Sequence, residues 1–158
     1  MKLLNTKFKL PDKTACIELT LSPEAIKLLN VSITGKPAIV FTEPEIVSVG
    51  LTPDEAEERG EEIITGKFPL AANGRALTLE AEKTAGFIRV TARESDHVIL
   101  GIQAVGSHVA ELHGEFVLAL EMGALLEDIA DTVHAHPTMT EAFHESVLKS
   151  LGHAIHSA

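Results

Sequence analysis

A chain of 158 residues is long enough to bury one domain core and too short for two comfortable ones. Apolar residues make up 45% and charged residues 23%, an ordinary globular balance, and with Trp and Tyr absent and only six Phe the core must be filled by Val, Ile, Leu and Ala. The 23 acidic residues against 13 basic ones leave a formal charge of −10 with no basic cluster; this excludes nucleic acid, which needs Lys and Arg to replace phosphate counterions, and argues against an anionic membrane.

Cys16 is the only cysteine, so no internal disulfide or redox-active dithiol can form, and a reducing, cytoplasmic setting is expected. The start, MKLLNTKFKLPDK, lacks the apolar stretch of a signal peptide, and no segment has the length of a membrane span.

Residues 1–36 are weakly patterned: a short strand is expected from Ala15 to Leu21, a helix start at Ser22-Pro23-Glu24 that Asn30 stops, and a turn at Thr34-Gly35-Lys36-Pro37. From Pro37 the pattern sharpens. Ala38 to Thr42 and Glu45 to Leu51 are β-rich runs split by Glu43-Pro44. Thr52-Pro53-Asp54-Glu55 reads as a capping box with Pro at the first helical position, predicting a helix from Pro53 to Arg59 that Gly60 ends.

Glu62 to Phe68 alternates as a strand, Asn73-Gly74 marks a turn, and Ala76 to Glu82 reads as a short helix. Two β runs, Gly86 to Thr91 and Val98 to Val105, flank the polar stretch Arg93 to His97 and predict a hairpin. Val109, Leu112, Phe116, Leu120 and Gly123 recur at helical spacing, predicting an amphipathic helix over 107–122. Two more helices follow, Leu125 to Ala130 and Thr140 to Leu151, the latter with Phe143, Val147 and Leu151 on one face. Strands first and helices afterwards indicate the α+β class, an antiparallel sheet with helices packed on one face.

Seven of the eight histidines lie after residue 107. A metal site is disfavoured: His108 and His113, or His153 and His156, lack the partner ligands of a zinc site, and HExxH is absent. His97, His108, His113, His144, His153 and His156 lie in no motif and are best read as scattered surface residues, the last two in a frayed tail.

The run Val133-His134-Ala135-His136-Pro137-Thr138-Met139-Thr140-Glu141 is different. Proline holds the preceding His136 out of the helical region, and X-Pro is the bond at which a cis peptide is affordable. With Thr138 or Thr140 as helix cap, Glu141 falls in the first turn and can reach back to the imidazole. A His136–Glu141 pair of this kind orients the ring and stabilises imidazolium while the other ring nitrogen exchanges protons; a capping Thr and a first-turn Glu are also ordinary helix grammar.

At this segment the chain resembles the dihydrolipoamide dehydrogenases, within the flavoprotein disulfide reductases: HAHPTMTEA is similar to their HxHPTxxE motif. The likeness extends in order through PAIVFTEPEIVSVGLTPDEAEERG, FPLAANGRALTLEAEKTAGFIRV and ILGIQAVGSHVAELHGEFVLALEMGALLEDIA, covering about Pro37 to His156. It implies that 37–158 is the dimerisation, or interface, domain, with 1–36 unassigned. It also implies that His136 is the acid/base at a dithiol–disulfide centre and that Glu141 orients it. The His136 carbonyl, before a cis Pro137, would then meet the flavin of a second subunit, and His134 would lie near the lipoamide channel. The implied cofactors are FAD and NAD. The implied partners are a second copy, as a homodimer, and the peripheral subunit-binding domain of a 2-oxo-acid dehydrogenase acyltransferase.

The sequence departs from the family in lacking its GxGxxG segment, its CxxxxC disulfide and its FAD- and NAD-binding domains. Taken alone, the chain is therefore expected to bind no FAD tightly and to be inactive, as an excised domain or truncated product. The alternatives are a non-catalytic dimerisation or docking module, the interface domain of another disulfide reductase such as glutathione or mercuric reductase, and a small His-dependent metalloprotein.

Overall fold

The computed structural model describes residues 4–6, 19–21, 37–79 and 86–156. The chain divides into two units, Met1–Ile33 and Thr34–Ala158. In the first, strands β1 (Leu4–Thr6) and β2 (Leu19–Leu21) pair antiparallel, with Asn5 opposite Thr20. The helix expected from Ser22 to Asn30, the turn before Pro37 and the expected helix beyond residue 79 lie outside the described residues.

The second unit is built on a five-stranded antiparallel sheet. Its strands are β3 (Ala38–Val40), β4 (Glu45–Gly50), β5 (Ile63–Pro69), β6 (Phe87–Arg93) and β7 (Ile99–Gly106), in the order β3-β4-β7-β6-β5. β6 and β7 form the expected hairpin, with a register shift at Thr91/Ala92. Five helices are seen among the described residues: α1 (Pro53–Glu58), α2 (Gly74–Thr78), α3 (His113–Met122), α4 (Leu126–Ala130) and α5 (Glu141–Ser150).

The period-2 pattern sets the faces of the sheet. Val47 and Val49 of β4, Phe68 of β5, Ile88 and Val90 of β6, and Ile102 and Ala104 of β7 are neighbours in the ladder and are all buried. Helices α3 and α5 close this layer, meeting where the Phe116 and Phe143 rings pack edge to face at 5.1 Å. Gly66 lets α5 come close: a Cβ there would sit 1.9 Å from the Ser146 carbonyl oxygen. On the opposite face Gln103 Nε2 donates to the Leu51 carbonyl (3.0 Å), and Gln103 Oε1 accepts from the Arg89 guanidinium.

The α1 capping box is as expected: Glu55 N–H donates to Thr52 Oγ1, and Thr52 N–H donates to Glu55 Oε2 at 2.9 Å. The Thr52 N–H and the Thr52 hydroxyl, which also donates to Glu55 Oε2 (3.0 Å), hold the Glu55 carboxyl below its ordinary range. Two expectations need correction. Asn73 is not a turn marker but the cap of α2, because its Oδ1 accepts the Ala76 N–H at 2.8 Å and so starts the helix at Gly74. The helix expected over 107–122 starts later, because His108 adopts a left-handed conformation (φ 64°) that keeps it and Ser107 out of the helix; it opens as a 3-10 turn at Val109–Leu112 that runs directly into α3.

Candidate functional site: the His136–Glu141 pair

The loop from Asp131 to Thr140 leaves α4 and enters α5 with His134 and His136 on it. The His136-Pro137 peptide is cis. Glu141, first residue of α5, divides its two oxygens: Oε1 faces His136 Nδ1 at 2.8 Å, and Oε2 accepts the Thr138 N–H at 2.8 Å. One carboxylate thus orients the imidazole and fixes the loop that presents it.

The expected threonine cap does not form. Thr140 occupies the cap position in helical geometry (φ −65°, ψ −28°) and makes no capping bond, because a capping side chain needs extended backbone to reach the first N–H groups. The Thr138 hydroxyl turns back to the Ala135 carbonyl at 2.7 Å and holds the loop instead.

Asn73 supplies a second brace. While its oxygen caps α2, its Nδ2 donates to the Thr138 carbonyl at 3.0 Å, and the residue is buried. A single amide therefore ties the corner after β5 to the histidine loop. The cleft between that corner and α5 is lined by Asn73, Gly74, His136, Glu141, Glu145 and His156. The His136 side chain is 67% exposed, and its carboxylate partner is mostly covered. A ring oriented at Nδ1 and open to solvent can exchange protons at Nε2.

His134 is placed differently. Its side chain is only 5% exposed; Nδ1 faces the Thr132 carbonyl at 2.9 Å and Nε2 faces Glu115 of α3 at 2.8 Å. Its ring also stacks on His144, centroids 4.9 Å apart, while His144 Nε2 meets the Ala130 carbonyl. Several histidines assigned no role from the sequence are also engaged. His97 pairs with Glu127, whose carboxyl is held below its ordinary range mainly by that bond; His113 meets the Ala110 carbonyl; and His156 pairs with Glu145. His97 and His156 read as scattered because each partner is contributed by a different element, 30 and 11 residues away. The one available signal was the i, i+4 spacing of Glu141 and Glu145, which puts both on one face of α5.

Among the described residues, no group of three or more His, Cys, Asp or Glu side chains is arranged to hold a metal ion, and no helix is long and apolar enough to cross a membrane. Gly101 lies within β7, where a Cβ would strike the Leu51 carbonyl.

Comparison with known proteins agrees with this architecture. The family model for the pyridine nucleotide-disulphide oxidoreductase dimerisation domain matches residues 36–147. The dihydrolipoyl dehydrogenase of Pseudomonas aeruginosa is 54% identical over 120 residues, which is 76% of this chain and 25% of that protein. That of Bacillus subtilis is 43% identical over 127 residues, 80% of this chain and 27% of that protein. The chain therefore spans about a quarter of the length of the curated relatives it matches. Among solved structures, LpdA from Mycobacterium tuberculosis shares the fold at a TM-score of 0.69 and 24% identity, over 78% of this chain and 28% of that one. The HOCl-induced flavoprotein disulfide reductase RclA from Escherichia coli does so at 0.67 and 24%, over 72% and 26%. With its five-stranded antiparallel sheet, its covering helices and a match across most of its length, the chain belongs to the pyridine nucleotide-disulphide oxidoreductase dimerisation-domain family.

Proposed function

We propose that this chain is the interface domain of a dihydrolipoamide dehydrogenase and supplies the His136–Glu141 pair to a site completed by a second subunit. The observation that carries the reading is the 2.8 Å contact from Glu141 to His136 Nδ1 on a ring that is otherwise open. Dihydrolipoamide reacts through its thiolate, so a proton must leave the thiol first. His136 Nε2 is the acceptor, and Glu141 stabilises the imidazolium that results. FAD, when bound to the intact enzyme, would supply the electron relay from dithiol to NAD+. On the side of this chain, the His136 peptide before Pro137 would meet the flavin, and the thin exposed edge of His134 would border the lipoamide channel.

With one cysteine the chain cannot provide the reacting disulfide, so alone it is expected to be inactive and to hold no FAD tightly. A homodimer is the natural assembly, and the exposed Leu118 and Met122 on α3 are apolar surface suited to it. The acidic balance would suit the peripheral subunit-binding domain of a 2-oxo-acid dehydrogenase acyltransferase as a further partner, and the single cysteine would suit the reducing cytoplasm as the place of work. The test is reconstitution: mix the chain with flavin- and nicotinamide-binding domains supplied separately and assay dihydrolipoamide oxidation. Activity restored by wild type and lost with His136→Gln is expected; equal restoration by both would overturn the assignment.

A further inference from the structure

Glu145 stands one helical turn after Glu141 on α5, and it is 3% exposed. A buried carboxylate is expensive unless donors surround it. Among the described residues, the donors come from the last turn of the chain: the His156 ring through Nδ1 at 2.8 Å to Oε1, and the N–H groups of Ile155 and His156 at 3.2 Å to Oε2. Apolar burial does not pin this tail, since Ile155 is 70% exposed. The bonds to Glu145 are specific, and what they place is the His156 ring.

That ring lies nearly parallel to His136, with 9° between the planes and centroids 6.4 Å apart, in the same cleft. Each imidazole is held through Nδ1 by a carboxylate of α5, and each side chain is at least half exposed. Two nearly parallel rings, each held at Nδ1 and separated by more than stacking contact, leave two Nε2 atoms for one ligand.

We propose that His156, held by Glu145, is a positioning residue of the His136 cleft: it accepts a hydrogen bond from the second thiol of a 1,3-dithiol whose first thiol faces His136. This rests on the reading of His136 given above and deepens it. A propane-1,3-dithiol unit can present one S–H to each of two neighbouring rings, whereas a monothiol engages only one. No bond is made or broken at His156; it selects a dithiol and fixes its orientation.

The test uses the full 158-residue chain and follows the imidazole nitrogens of His136 and His156 by long-range 1H–15N NMR during titration with dihydrolipoamide, and separately with a monothiol of the same chain length. Dihydrolipoamide is expected to move both rings along one saturation curve, and His156→Gln to weaken its binding several-fold, to the level of the monothiol. Glu145→Gln should do the same by releasing the ring, and His156→Gln, which alters only a half-exposed side chain, keeps the test independent of folding. If His136 responds while His156 stays silent, or if His156→Gln binds the dithiol as tightly as wild type, the inference falls and the role of His136 stands. If neither ring responds, the inference falls, and the role of His136 is decided separately by the reconstitution assay.

Discussion

His134 and His136 sit two residues apart on one loop, and each has a carboxylate on one ring nitrogen at 2.8 Å. The inner end of the loop buries its histidine against α3, with both nitrogens engaged and a second imidazole stacked on it. The outer end leaves its histidine exposed against α5, with one nitrogen held. The same His–carboxylate pairing thus makes an anchor in one place and, in the function proposed above, a reactive group in the other. What separates them is which neighbour covers the ring. A group that must meet substrate needs a free edge, and a group that must hold a loop needs none.

Substitution should separate the two ends. The largest effect is expected from His136→Gln, which should lower dithiol oxidation in the reconstituted enzyme by about 10²–10⁴-fold, the usual contribution of a positioned acid/base. Its unfolding midpoint should stay within about 0.5 kcal/mol of wild type, because the ring packs against little. A large loss of stability in that variant would erase the contrast.

His134→Ala should behave the other way. Removing the ring leaves the partly buried Glu115 carboxylate without its partner and takes away the ring stacked on His144, which costs about 1–3 kcal/mol in urea unfolding. Turnover should fall only as far as the loop loosens, and raising the proportion of folded protein should recover much of it.

Acid sharpens the contrast at the third histidine. Burial pushes the Glu145 carboxyl up, but the bonds from the His156 ring and from the N–H groups of His156 and Ile155 outweigh it and hold the carboxyl below the ordinary glutamate range. A depressed folded-state value means that the contribution is fully present above the unfolded value of about 4.3 and is lost as pH falls through the folded one. Hydrogen exchange at the Ile155 and His156 amides should therefore accelerate on acidification through that window, before the sheet amides of β6 respond. Simultaneous release of tail and sheet would show that the tail is not a separate latch.

The smallest effect is expected at His97, whose bond to Glu127 lies on the exposed surface. His97→Gln should change urea stability by no more than about 0.5 kcal/mol and leave turnover untouched, since exposed ion pairs contribute little.

Much of this protein could be read along the chain. Alternation in Glu45 to Leu51, Glu62 to Phe68 and the two arms of the hairpin gave the strands, because a half-buried strand writes its burial at period 2. Thr52 and Glu55 gave the start of α1, because a capping box is local. His136 and Glu141 were legible as a pair for the same reason: five residues separate them, and a helix start brings the acid back to the ring.

Tertiary structure decided the rest. Asn73 meets Thr138 across 65 positions, Glu115 meets His134 across 19, and His156 folds back by 11 onto Glu145. None of those distances repeats with the period of a helix or strand, so no local pattern announces them. The sequence by itself determined an antiparallel sheet with helices and one His–Glu pair at a helix start. Only packing decided which histidine is sealed, which is open and which is brought alongside, because exposure and orientation are properties of the neighbours that long-range contacts supply.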